Sequence, residues 1–290
     1  MDETSSPGSL YLVTTPLGNL QDLSPRALAT LRAVDLVACE DTRRTQKLLA
    51  HFVIRKPLES YHGDSGPRKA EQLLRRLRAG QSVAYVSDGG TPGIADPGAE
   101  LVAAAVAEGL LVVPIPGPCA LVTALSAAGF PADRFTFGGF PPRKPTELRQ
   151  YLGELAASGR TVVLYESPHR LRQTLAVLAE AAPERPVVVA REMTKQYEEW
   201  VRGSAVEAYA AFAEREPRGE FVIVIGPGPR EAVATPDPAR LADGLRRLLR
   251  AGVSVREAAE VAASWGVASK REAYRLAVSL KKEEAAAGEK

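Results

Sequence analysis

The chain has 290 residues, 45% of them apolar and 25% charged, with a formal net charge of +2. That composition is ordinary for a globular protein and gives room for two domains, while so small a net charge makes no global case for a nucleic-acid partner. Cys39 and Cys119 have no C-x-x-C spacing and His51, His62 and His169 no metal-ligand spacing, so neither a disulfide framework nor a metal site is expected. The polar N-terminus, with no apolar run near the roughly 18 residues a bilayer requires, predicts a cytoplasmic protein without export signal or membrane contact.

A strand over Leu10–Thr15 is followed by a helix from about Pro25 to Arg32, a strand over Asp35–Glu40 and a helix around Arg43–His51. Helix Lys69–Ala79, strand Val83–Ser87, helix Ala99–Glu108 and strand Leu110–Ile115 continue a βαβα rhythm, which predicts a mostly parallel sheet covered by helices. Residues 130–145 interrupt it with four prolines and read as a crossing between domains. A second α/β rhythm then begins: helix Glu147–Ala157, strand Thr161–Glu166, helix Arg170–Ala181, strand Val187–Glu192, helix Ala205–Glu216 and strand Phe221–Ile225.

After Gly226-Pro-Gly-Pro229 the chain has no further strand signal and reads as three short helices. Asp237 can cap the first, with Pro238 at its first helical position and Gly252 past its end. Ser254-x-x-Glu257 and Ser269-x-x-Glu272 are capping boxes for the others, and Trp265-Gly-Val267 between them gives a helix-turn-helix-like pattern. Residues 241–282 hold nine Lys/Arg against four Asp/Glu, a charge balance that fits either a solvated helical cap or an RNA contact. The expected division is an N-terminal α/β domain over 1–130, a second over 131–229 joined through 130–145, and a basic helical domain over 236–290.

Three Gly/Pro-rich loops follow strand-like runs: Thr14-Thr-Pro-Leu-Gly-Asn19, Ser87-Asp-Gly-Gly-Thr-Pro-Gly-Ile-Ala-Asp-Pro-Gly98 and Pro114-Ile-Pro-Gly-Pro-Cys-Ala120. Ligands in open α/β sheets bind beyond the carboxyl ends of strands, so three such loops predict one shared crevice. No G-x-G-x-x-G or G-x-x-x-x-G-K-[ST] is present, which argues against dinucleotide and P-loop chemistry. Polar clusters also fall at strand ends: Cys39-Glu-Asp-Thr-Arg-Arg44, Tyr61-His62, Glu166-Ser-Pro-His-Arg170 and Ala190-Arg-Glu-Met-Thr-Lys195. Carboxylates and cations side by side suit a polar, phosphate-bearing substrate, although each residue could equally cap a helix or form a surface ion pair. Phe135, Phe137 and Phe140 beside Arg143 and Lys144 could stack a splayed base or simply pack between domains.

The ordered series Thr14-Thr-Pro-Leu-Gly-Asn-Leu-x-Asp-Leu-Ser24, Cys39-Glu-Asp-Thr-Arg43, Val86–Gly98, Tyr165-Glu-Ser-Pro-His-Arg170 and Ala190-Arg-Glu-Met-Thr-Lys195 resembles the ribosomal RNA small subunit methyltransferase I family, within the tetrapyrrole methylase-like superfamily. The resemblance implies two α/β domains with a donor cleft between them and a small all-α C-terminal domain. It also implies S-adenosylmethionine as donor, a homodimer, and 2′-O-methylation of a cytidine ribose in small-subunit rRNA, either as naked RNA or in the assembled subunit.

By motif position the donor pocket is expected from Leu17, Gly18, Asn19, Ser87, Asp88, Gly89, Gly90, Thr91, Ile94, Ala95, Cys119, Ala120, Tyr165 and Met193. Glu40, Asp41, Glu192 and Lys195 are the candidates for catalysis, Lys195 as base only if its pKa is depressed. Arg43, His169, Arg170, Arg143 and Lys144 are expected to meet the RNA. Cys119 stands where the family usually has Ser or Thr, and Gly63-Asp-Ser65 replaces a common Glu-His-Asn. The competing readings are a tetrapyrrole methyltransferase with the same donor loops and a non-catalytic RNA-binding assembly factor.

Overall fold

A computed structural model describes residues 7–63, 66–228, 238–264 and 269–287. Asp64, Ser65, Pro229, Asp237 and Trp265-Gly-Val267, named above, lie outside the described residues. The chain forms two compact units, Met1–Pro227 and Gly228–Lys290.

The first unit is built on two five-stranded sheets. β1 (Ser9–Val13), β2 (Leu36–Cys39), β3 (Leu58–Ser60), β4 (Val83–Val86) and β5 (Leu111–Ile115) pair in parallel in the order β3-β2-β4-β1-β5. Its central strands are apolar throughout because both faces are covered. Val37, Cys39, Ala84 and Val86 face α1 (Pro25–Ala33) and α2 (Thr42–His51), while the alternating Leu36, Ala38, Val83 and Tyr85 face α3 (Gly66–Arg78) and α4 (Gly98–Ala107). Ser24 caps α1 by accepting from the Ala27 amide at 3.0 Å, with Pro25 at the first helical position.

The second sheet comprises β6 (Phe135–Gly139), β7 (Thr161–Glu166), β8 (Pro186–Arg191), β9 (Glu199–Ser204) and β10 (Phe221–Ile225), in the order β6-β7-β10-β8-β9. β6 and β7 run parallel and the other pairs antiparallel, so the second α/β rhythm produced a mixed sheet. One face packs on α6 (Pro145–Ala157), α7 (Leu171–Ala181) and α8 (Ala205–Ala213) around Leu164, Leu175 and Phe212. The other takes α5 (Ala120–Ala128), which leaves the first sheet after β5 yet buries Leu121, Ala124, Leu125 and Ala128 against Val163, Val188 and Val224. The 130–145 crossing therefore contains a strand, and β3, β9 and α5 were not foreseen.

In the second unit α9 (Pro238–Arg250), α10 (Val255–Ser264) and α11 (Lys270–Ala287) pack through Leu245, Ala258, Ala262, Ala273, Ala277 and Leu280. Both capping boxes form. Ser254 Oγ accepts from the Glu257 amide and Glu257 accepts from the Ser254 amide, each at 3.2 Å; Ser269 and Glu272 do the same at 3.3 and 3.0 Å. Among the described residues no helix is long and apolar enough to cross a membrane.

Buried Arg185 ties the second sheet to its surroundings, donating to the carbonyls of Gly226 at 2.7 Å, Ala156 at 2.8 Å and Arg160 at 3.1 Å. Arg185→Met strands these carbonyls and should cost roughly 3 kcal/mol, read as a lower urea midpoint with an unchanged m-value.

Candidate active site

A cleft of about 840 Å³ opens where the carboxyl ends of β1, β2 and β4 meet those of β7 and β8 and the start of β10. Residues 15–18, 87–89 and 94–96 line it from the first sheet, and residues 165–168, Met193, Lys195 and 219–222 from the second. Of the residues expected to hold a donor, Leu17, Gly18, Ser87, Asp88, Gly89, Ile94, Ala95, Ala120, Tyr165 and Met193 border this space. Asn19, Gly90, Thr91 and Cys119 do not, and three of them fasten the loops instead. Gly90 and Thr15 exchange two backbone hydrogen bonds of 3.0 Å, Thr91 Oγ1 donates to the Pro118 carbonyl at 3.0 Å, and the Asn19 amide donates to Thr194 Oγ1 at 3.2 Å. Cys119 precedes α5 without a side-chain cap, and the nearby Leu121 amide donates to the Tyr165 hydroxyl at 3.0 Å.

Two glycines are required by this geometry. Gly90 has φ +90°, and a Cβ there would sit 3.1 Å from Leu17 Cδ2, pressing Leu17 into the cleft it borders. At Gly18 a Cβ would fall 2.2 Å from Lys195 Cγ.

Carboxylates gather at one wall. Glu40 and Asp88 border the cleft, and Asp96 lies beside them with Oδ1 accepting from the Gly93 and Gly98 amides at 2.8 and 2.7 Å. Asp96 Oδ2 is buried without a hydrogen-bond partner. Burial, then the neighbouring Asp96 and Asp88 charges, push the Glu40 pKa up to about 7; burial also raises Asp96, opposed by the two amides. Asp41 is turned to a different task. It caps α2, its Oδ1 accepting from the Arg43 and Arg44 amides at 2.8 and 3.4 Å, and these bonds hold its pKa low.

Across the cleft, Lys195 Nζ lies 2.8 Å from Glu192 Oε1 and 2.9 Å from Glu220 Oε2. Burial pulls the Lys195 pKa down, but these two carboxylates outweigh it and the pKa lies above the usual lysine value. The pairing favours the ammonium form, so the depressed pKa on which its reading as a general base depends is not what this geometry provides. Glu192 does not border the cleft; it holds Lys195 and accepts from the Glu220 amide at 2.9 Å.

Among the expected RNA contacts, Arg43, His169, Arg143 and Lys144 are exposed, with Lys144 2.9 Å from Glu147. Arg170 is mostly enclosed and directs its guanidinium at the carbonyls of Pro141, at 2.9 Å, and Pro142. Sequence reasoning assigned no role to Asp96, Lys47 or Glu220 and noted Arg44 and Glu166 only as members of strand-end polar clusters; all five border the cleft. Asp96 had a usable signal in the Asp-Pro-Gly that ends its loop; Glu220 had none.

This site fits a cationic, partly apolar methyl donor such as S-adenosylmethionine. Its volume suits a small-molecule ligand, Leu17, Ile94, Ala95 and Met193 offer apolar surface, and Glu40, Asp88 and the unpartnered Asp96 oxygen complement positive charge. Two sheets joined at such a cleft define a tetrapyrrole methylase-type fold, and residues 9–209 match the family described as tetrapyrrole (corrin/porphyrin) methylases. Uroporphyrin-III C-methyl transferase from Thermus thermophilus, solved in complex with S-adenyl homocysteine, has the same fold at a TM-score of 0.54 and 22% identity, over 76% of this chain and 97% of its own. Within that superfamily the chain belongs to the ribosomal RNA small subunit methyltransferase I family. It is 46% identical to the Synechocystis sp. member over 94% of this chain and 98% of the relative, and 43% identical to that of Escherichia coli O157:H7 over 94% and 96%.

The raised Glu40 pKa has a consequence for stability. Between about pH 4.5 and 7 the unfolded chain releases this proton while the folded chain retains it, so stability attributable to Glu40 falls as pH rises through that window. Glu40→Gln should flatten the slope of urea-unfolding free energy against pH across that range.

Proposed function

We propose that this chain transfers a methyl group from S-adenosylmethionine to the 2′-hydroxyl of a cytidine ribose in small-subunit rRNA. The observation that carries the reading is a carboxylate-walled cleft in a chain that aligns almost end to end with the rRNA methyltransferase I relatives. The tetrapyrrole-methylating alternative is weaker because the Thermus structure accounts for 76% of the chain, and the capped, basic helical unit has no evident use on a tetrapyrrole.

S-adenosylmethionine supplies an electrophilic methyl group on a sulfonium. The residues of this chain align the hydroxyl with it, exclude water and take the proton. Glu40 is the best placed base: it borders the cleft and its pKa near 7 divides it between proton donor and acceptor at neutral pH. Lys195, held as a cation by Glu192 and Glu220, orients ribose or phosphate. Lys270, Arg271, Tyr274 and Arg275 share one exposed surface of the helical unit and are suited to the RNA backbone. We assign donor and chemistry to 1–130 and 131–229, RNA capture to 236–290, and a cytoplasmic location to the whole. We also assign a homodimer, whose interface would have Val106 on α4, Leu111 on edge strand β5 and Val122 on α5 among the exposed aliphatic side chains available to cover.

Nucleoside mass spectrometry of small-subunit rRNA from cells with and without the protein tests the assignment: loss of a 2′-O-methylcytidine supports it, and an unchanged nucleoside profile refutes it. For the purified protein, Glu40→Gln at saturating donor should lower the single-turnover rate by roughly 100-fold or more, and the wild-type rate should rise with pH through about 7 before levelling. Removing residues 236–290 should weaken RNA binding and reduce its salt dependence while leaving donor affinity, measured by calorimetry, unchanged.

A further inference from the structure

The three phenylalanines of the 130–145 crossing have separate fates. Phe137 is half-buried in the core beneath α5, its ring edge-on to Tyr165 at 4.9 Å. Phe135 stands at the start of β6, away from the cleft lining. Phe140 borders the cleft and is nevertheless 56% exposed, touching Tyr165 edge-on with a centroid separation of 5.7 Å.

The backbone on both sides of that ring is fixed. Before it, the Gly138 carbonyl accepts from the Tyr151 hydroxyl at 2.5 Å. After it, Arg170 holds the Pro141 and Pro142 carbonyls. Arg170 lies 3.8 Å from Glu166, whose buried carboxylate accepts from the Ser167 amide at 2.8 Å and from Thr174 Oγ1 at 2.5 Å. An exposed ring gains little stability from burial, so this much scaffolding around it calls for a ligand. An exposed aromatic ring at a fixed height beside a cleft suits a flat partner arriving from solvent.

We infer that Phe140 is the platform on which the target nucleotide's base stacks after leaving the RNA stack, with Glu166 and Arg170 as its positioning residues. This rests on the RNA reading above. Single-stranded RNA recognition commonly stacks splayed bases on aromatic side chains, and a ribose hydroxyl brought down to a donor in this cleft would carry its base to the rim. Arg44 and Lys47 on α2 border the same cleft and can meet the flanking phosphates, while Arg143 and Lys144 follow Phe140 in the chain. Because every base has a π-face, the platform supplies affinity and placement but not base identity. The competing partner is the adenine of the donor.

Phe140→Ala, Phe140→Leu and Phe140→Trp are compared with wild type in single-turnover methylation of assembled small subunits and of free rRNA, with the donor saturating and the RNA varied. Donor affinity without RNA and equilibrium RNA affinity are measured on the same proteins. Loss of one stacked base should lower kcat/KM for RNA by about 10-fold or more in the Ala and Leu variants, with Trp near wild type and donor affinity within about twofold. A parallel loss of donor affinity would assign the ring to adenine, and Leu performing as well as Phe would reduce it to packing; either overturns the inference. A wild type that methylates no RNA refutes the methylation reading, whereas RNA affinity equal in wild type and Phe140→Ala refutes the platform alone.

Discussion

Thr15 and Gly90 exchange two backbone hydrogen bonds, Thr14 is bound to the Ile115 carbonyl through both its amide and its hydroxyl, and Thr91 reaches the Pro118 carbonyl. Through these contacts the loops after β1, β4 and β5 become one surface whose main-chain atoms lie closer than side chains would permit. The requirement is steric before it is chemical. With the loops fastened, Leu17, Ser87 and Ile94 have defined positions; without the fastening the same sequence would present three mobile turns and no cleft wall.

The charges follow from that enclosure. Glu40 and Asp96 would be ordinary acids in water, but burial at this wall raises the pKa of both, and the neighbouring Asp96 and Asp88 charges raise Glu40 further. On the opposite wall two carboxylates flank a single ammonium and stabilise its charge. The cleft thus has one side where a proton is held loosely and another where it is held firmly. That asymmetry is compatible with the proton transfer proposed above.

Most of the architecture was legible because strand and helix periods agree with burial. Thr161–Glu166 and Phe221–Ile225 fall where the apolar runs placed them, and both C-terminal capping boxes close as written. β3 escaped notice because it is three residues long, and β9 because Glu199-Trp-Val-Arg-Gly-Ser204, an edge strand, lacks a clean apolar face. Loop spacing located the cleft but could not separate residues that border it from residues that brace it. Asn19, Gly90, Thr91 and Cys119 share a motif with lining neighbours and differ from them only in direction. Likewise Asp41 and Glu40 are adjacent in the chain, yet one side chain turns back to cap α2 and the other faces the cavity.

Helix α5 begins at the end of the first sheet and is buried in the second. The chain therefore crosses from one sheet to the other through residues 116–119, and the Leu121 to Tyr165 hydrogen bond fixes where the helix starts beside the cleft. Ile94 and Phe140, which border the cleft, are already solvent-facing, so the way in for a donor runs past side chains and not through either core.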